Sequence, residues 1–284
     1  MIYLLLAIAG SASMSIVLKI FHTQSGNRYG ILLGNYLTCL LTAGVLLPDK
    51  GLIFHGSPVT VAFGAVGGFF FVGGLVMMQS SISRNGATMT AAFARLGLII
   101  PLLISIVFLG ERPGLLSVLG IGLAFAALIV IHTEPGGETS SAVGGAPILL
   151  LLTLLMCGTS DGLAKLFERA GERSQDTLYF FYVFAMASFL TFALSVWEYR
   201  RTGKKIILRE LLAGILVGIP NYFSSVLLLA ALVRLPAFLV YPCFSTATIL
   251  LVAVVSALLF KEYPGRRQRA GLVLILGALV LLNL

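Results

Sequence analysis

Three charged residues lie inside otherwise apolar runs: Arg95 in Ala87–Gly110, and Asp161 with Lys165 in Ala146–Leu166. A charge within a bilayer core costs about 2.5–3.5 kcal/mol on insertion scales, so each calls for a functional account. The Arg95 guanidinium suits a carboxylate or phosphate on a solute. Asp161 suits an amine or a proton, or it pairs with Lys165, one turn further along the same helical face. Arg95 lies about eight residues into its run, roughly 12 Å deep. Asp161 is about 15 residues into a run that starts on the same side, roughly 10 Å further along, a gap that a long Arg side chain bridges in large part. A purely structural account competes with this one. In it Asp161 and Lys165 neutralise each other, Arg95 is capped by backbone carbonyls, and Lys165 extends its amine to the nearby interface. Neutral candidates for the same lining are Asn35, Tyr36, Gln79, Asn221, Tyr222 and Tyr241. Pro101, Pro220 and Pro242 fall within apolar runs, where each removes a backbone donor and permits a bend.

Other chemistry is poorly provided for. His22, His55 and His132 fall in separate loops without an H-E-x-x-H pattern, and Asp161 is the only aspartate inside an apolar run. No P-loop is present, and Cys39, Cys157 and Cys243 are spread over three runs as small apolar residues. The expectation is a protein that is not an enzyme and has no catalytic residue, cofactor or metal.

The elements that must hold these residues are set by composition. The 284 residues are 58% hydrophobic and 11% charged, with mean hydropathy +1.03. A soluble domain carries roughly 25% charge, so this chain cannot build a polar shell and reads as an integral membrane protein. Ten stretches approach the 20 apolar residues that span a bilayer as a helix: Met1–Phe21, Tyr29–Leu47, Pro58–Ile82, Ala87–Gly110, Gly114–Ile131, Ala146–Leu166, Thr177–Trp197, Ile207–Ala230, Pro236–Phe260 and Gly265–Leu284. No basic residue precedes Ala7-Ile8-Ala9, so the first stretch is expected to be a retained span. The net charge of +8 sits in short loops, which points to anionic lipid and membrane orientation rather than nucleic acid. Eleven loop Lys and Arg fall on one side, including Arg200, Arg201, Lys204 and Lys205, and five on the other, which places the first side in the cytoplasm and both termini outside.

The two halves repeat. Phe108-Leu109-Gly110-Glu111-Arg112-Pro113-Gly114 aligns with Leu259-Phe260-Lys261-Glu262-Tyr263-Pro264-Gly265. Gly64 and Gly68 align with Gly214 and Gly218, and Lys19, Phe21 and Tyr36 with Lys165, Phe167 and Tyr182. Five spans per copy is an odd number, so the second copy enters the membrane inverted. The fold class expected is an all-α polytopic membrane protein of ten transmembrane helices in two inverted five-helix repeats: residues 1–132, a Gly/Ser-rich linker at 133–145, and residues 146–284. The glycines of the paired G-x-x-x-G motifs are expected to let helices approach closely. Glu111 and Glu262, each just before a helix start, are expected to favour that helix's N-terminal dipole.

Ten spans, two halves and the repeated Glu-x-Pro followed by an apolar helix resemble the drug/metabolite transporter superfamily, in its EamA-like branch. "Ser-Met-Ser-Ile-Val-Leu-Lys" in the first span and "Cys-Gly-Thr-Ser-Asp-Gly-Leu-Ala-Lys" in the sixth are similar to first helices of that superfamily. The resemblance implies a transporter of small metabolites or drugs in a bacterial-type cytoplasmic membrane, and it implies both termini inside, against the count of loop charges. Small four-helix multidrug relatives carry a proton-coupling Glu eight residues before the first-helix Lys. Ser11 and Cys157 stand at those positions here, and neither carries a proton in that way. The combined reading is a secondary transporter, monomeric or homodimeric and embedded in lipid. It moves a small polar or zwitterionic metabolite by alternating access, in the export direction. A lipid-handling flippase or a membrane subunit of a larger complex is the alternative.

Overall fold

A computed structural model describes residues 1–20, 26–85, 87–132, 146–260 and 265–283. The 133–145 linker, His22 and the Glu262 loop lie outside the described residues, as does the side chain of Lys19. The chain is all-helical, with no strand among the described residues. The helices are α1 (Ile2–Ile20), α2 (Gly30–Leu46), the one-turn α3 (Leu52–His55), α4 (Pro58–Asn85), α5 (Ala87–Leu96), α6 (Ile99–Leu103), α7 (Leu115–His132), α8 (Pro147–Ala170), α9 (Asp176–Thr202), α10 (Leu208–Leu232), α11 (Ala237–Phe260) and α12 (Arg266–Asn283). Five helices, α4 and α8 to α11, are long and apolar enough to cross a membrane, and α1, α2, α7 and the 93–108 stretch are shorter apolar helices.

Local chemistry marks the helix ends. Pro58 and Pro147 open α4 and α8 at the one helical position where a missing N–H costs nothing. The Thr60 amide donates to Ser57 Oγ at the start of α4, and the Ile207 amide donates to Glu210 Oε2 at the start of α10. α9 stops at Gly203, whose φ of 71° places it in the left-handed region and lets its N–H reach Tyr199 O at 2.8 Å.

Burial runs opposite to that of a soluble protein. Leu41, Val45 and Leu258 are 68%, 77% and 74% exposed, whereas Thr60, Thr90 and Thr246 are fully buried. Water would penalise that surface and hydrocarbon would not, so the chain is an integral membrane protein.

The chain forms two compact units. Unit one is Met1–Val72 with Leu166–Ala230, and unit two is Gly73–Lys165 with Ala231–Leu284. In unit one, α2 packs along α9. Gly214 and Gly218 let α10 lie against the α2 backbone at Ile31, Asn35 and Thr38, and Gly64 and Gly68 let α4 lie against α9 at Tyr182, Val183 and Met186. Ser224 donates its hydroxyl to Ala7 O at 2.8 Å, tying α10 to α1 beside Gly10. Ring contacts among Tyr36, Phe71, Phe184 and Tyr222 fill the centre. In unit two, α7 packs along α12, with Gly120 against Leu282. Gly74 meets Cys157 where α4 crosses α8.

Candidate functional site

The apolar run 87–110 is not one helix. α5 ends at Leu96, α6 begins at Ile99, and residues Ile104–Phe108 continue as a π-helix. The cause is Pro101, which has no N–H to give to Gly97 O four residues back. Gly97 O accepts from the Ile100 amide at 2.9 Å instead, and the Leu98 amide turns back to Arg95 O at 3.2 Å. Arg95 therefore sits in the last turn of α5, where the partial negative end of the helix favours a cation.

Helix α8 crosses this break closely. Gly97 faces Leu154 O and the Gly158 amide, and Gly158 faces Gly97 O and Ile100, so backbone meets backbone with no side chain between. Asp161 follows Gly158 by three residues and lies within Coulombic reach of Arg95, and the Cys157 thiol lies in the field of both. Tyr241, 1% exposed, donates its hydroxyl to Asp161 O at 2.7 Å and fixes α11 at the same level. The sequence offered no reason to single out Cys157 beyond its standing at the position where small four-helix multidrug relatives carry a proton-coupling Glu. Gln79 stands half-buried on the part of α4 that belongs to the same unit.

One turn past Asp161, Lys165 is buried, 5% exposed, with Nζ 3.2 Å from Glu111 Oε1. This corrects the expectation that it extends to the interface: a carboxylate meets it inside the protein. The other Glu111 oxygen accepts from the Ala237 amide at 2.8 Å and, at a long 3.4 Å, from the Phe238 amide. Glu111 thus serves a helix N-terminus, but that of α11 rather than of the helix that follows it. Burial alone would push this carboxyl up. Hydrogen bonding, which includes that from the Ala237 amide, together with the Lys165 charge outweighs burial and holds it below its ordinary value. No period or spacing in the sequence joins positions 111, 165 and 237.

The remaining candidates lie in unit one. Asn221 Nδ2 donates to Asn35 Oδ1 at 3.1 Å, and the Cys39 thiol donates to Gly218 O at 3.2 Å. Tyr36 and Tyr222 are 0% and 2% exposed and flank Phe184, with ring centroids 6.5 and 6.1 Å from it. The structure therefore brings together Arg95, Asp161 and Tyr241 in one set, and Asn35, Tyr36, Asn221 and Tyr222 in another. Among the described residues, no three His, Cys, Asp or Glu side chains converge on a point that could hold a metal ion.

Residues 145–284, about half of the chain, match the EamA-like transporter family, part of the drug/metabolite transporter superfamily. Members of that family are membrane transporters of small solutes. The chain is also similar to an uncharacterized protein of Haemophilus influenzae, 27% identical over 289 residues that cover 97% of this chain and 95% of the relative. A solved crystal structure shares the fold, with a TM-score of 0.72 at 17% identity over 99% of this chain and 94% of that one.

Proposed function

We propose that the chain is a secondary transporter that exports a small polar or zwitterionic metabolite across a bacterial-type cytoplasmic membrane by alternating access. The observation that carries the reading is that Arg95 and Asp161 lie within Coulombic reach of each other among apolar helices, where α5 breaks. A guanidinium and a carboxylate within Coulombic reach of each other suit the carboxylate and amine of a zwitterion. A discontinuous helix is where secondary transporters expose backbone groups to solute. Gln79 and Tyr241 are assigned to the same binding set, and Asn35, Tyr36, Asn221 and Tyr222 to the polar set of unit one. Lys165 and Asp161 are assigned to coupling, with Lys165 exchanging between Glu111 and Asp161 during the cycle.

Two inverted five-helix repeats, 1–132 and 146–284 joined by 133–145, are part of the proposal. Recurring helix contacts support it. Gly214 lies against Ile31 and Asn35 of α2, and Gly64 lies against Tyr179 and Tyr182 of α9. Gly218 lies against Asn35 and Thr38, and Gly68 against Val183 and Met186. The partners are displaced by 147–148 residues and the glycines by 150. Gly10 against Ser224 and Cys157 against Gly74 is the same contact with the two halves exchanged. An inverted duplication produces such an exchange.

The test is flux of radiolabelled amino acids into proteoliposomes. Arg95→Ala should lower uptake about 10- to 100-fold, the factor for a charge-assisted hydrogen bond of about 1.5–3 kcal/mol, with unchanged elution on size exclusion. Arg95→Lys should recover part of it. Wild-type flux in Arg95→Ala would remove the assignment. Lipid movement without solute flux would replace the carrier with a flippase.

A further inference from the structure

A second site lies in unit one, at the end of α9. After Gly203 the chain doubles back, and residues 204–207 return along the helix they have just left. The return is clamped by Asn27, whose buried Nδ2 donates to Ser195 O at 2.9 Å and to Lys204 O at 3.3 Å. Between the return segment and the α9 face formed by Phe192, Ser195, Val196 and Tyr199 there is an open cavity of about 250 Å³, whose rim carries Lys205 and Ile206. Ser195 is 3% exposed, and its hydroxyl has no hydrogen-bond partner among the described residues. A buried donor of that kind ordinarily finds a partner, and here it borders an open space.

The surroundings state which partner fits. The cavity wall is apolar and aromatic, and beside it Phe192 is 58% exposed, in the manner of lipid-facing residues. Above it Arg200, Arg201, Lys204, Lys205 and Arg209 fall within ten residues, all exposed. Two carboxylates lie nearby, the buried Glu210, bonded to the Ile207 amide, and the half-buried Glu198, so five basic residues against two acids leave the rim net positive. Trp197 and Tyr199 stand at the same level, with Arg201 5.3 Å from the Trp197 ring centroid. Aromatic and basic residues at the end of an apolar helix mark the headgroup level of a bilayer, on the side where the loops carry the larger excess of Lys and Arg.

We propose that this cavity binds an anionic phospholipid. Its phosphate meets Lys205 with the neighbouring basic residues, its glycerol or ester oxygens take the Ser195 hydroxyl, and its upper acyl chain lies on Phe192 and Val196. A free phosphate would gain nothing from the apolar wall, and a zwitterionic lipid would gain less from the rim. The inference is independent of the transport reading.

Native mass spectrometry of the delipidated, full-length protein tests it, with phosphatidylglycerol, phosphatidylcholine of the same chains and inorganic phosphate as probes. Phosphatidylglycerol should be retained at least fivefold better than phosphatidylcholine. Lys205→Gln, an exposed and fold-neutral change, should weaken phosphatidylglycerol retention about fivefold. Val196→Trp fills the cavity without altering charge and should do the same, whereas Lys50→Gln should not. Equal retention of the two lipids overturns the proposal, as does wild-type retention by Lys205→Gln. Displacement of phosphatidylglycerol by inorganic phosphate assigns the site to a free anion and overturns it as well.

Discussion

Replacing Glu111 by Gln keeps the side chain's shape and one carbonyl acceptor for the Ala237 amide but removes the charge that faces Lys165. The Lys165 ammonium is 5% exposed and cannot turn to water. Breaking a buried ion pair by removing one partner costs about 3–5 kcal/mol, because the remaining charge is left uncompensated. The Glu111 side chain is 17% exposed, so the lower end applies. At roughly 2–4 °C per kcal/mol for a chain of this size, the midpoint of thermal unfolding in detergent should fall by about 6–12 °C. Lys165→Met leaves the Glu111 carboxylate with the amides of Ala237 and Phe238 and should cost less. The double variant should be more stable than Glu111→Gln alone, since no orphan charge remains. pH supplies an independent check. The folded carboxyl lies below the ordinary value of 4.5, so its stabilisation is fully present above that value and is lost as pH falls through the folded one. The gap between wild type and Glu111→Gln should therefore be full at neutral pH and close below pH 4.5. Differential scanning fluorimetry across pH 3–8 reads both effects. A midpoint within 1 °C of wild type at neutral pH, or a double variant that is simply additive, would refute the reasoning.

Two further variants address the helix contacts. Gly158→Val places a branched side chain against the Gly97 backbone and Ile100. Overpacking of this kind costs about 1–3 kcal/mol or more, so the yield of monodisperse protein should drop sharply, while Gly122→Ala, in open space, should leave it unchanged. Asn221→Ala should cost about 0.6 kcal/mol, the average for an interhelical hydrogen bond in a membrane protein, and a double-mutant cycle with Asn35→Ala should show that the two losses are shared.

How far the sequence could be read depended on whether the physics was local. Helix positions follow from runs of apolar residues, a property of about 20 neighbours, so helices formed in each of the ten stretches. The glycines at 64, 68, 214 and 218 were legible as packing positions because a G-x-x-x-G motif is itself local, and each does meet a neighbouring backbone. The break in the fourth stretch was half-legible. Pro101 announced a bend, but the actual interruption lies at Gly97-Leu98, where the donor it lacks is missed, and the π-helical continuation has no signal in the residues. Arg95 and Asp161 were recognisable as expensive, and the depth estimates set them within the reach of a long side chain.

Lys165 shows where such reading ends. Its local partner by spacing is Asp161, and its local escape is the interface. Glu111, 54 residues earlier, nevertheless reaches it at 3.2 Å. The difference follows from what each acid already has. Asp161 already lies in the field of Arg95, so a second cation there would add like-charge repulsion. Glu111 receives two backbone amides from α11, a dipole end that carries about half a positive charge, and still has one oxygen to offer. Two acids and two cations placed alternately can each face an opposite charge, an arrangement that i,i+4 spacing cannot report because three of the four groups come from different helices or loops. Lys165 also has a second acid one turn away, so on the proposed function a solute amine at Asp161 and a solute carboxylate at Arg95 would perturb a chain of charges whose far end is the N-terminus of α11. The proposed function therefore predicts that loading the site and moving that helix are linked through Lys165, and that a variant which holds Lys165 on Glu111 binds solute yet fails to turn over.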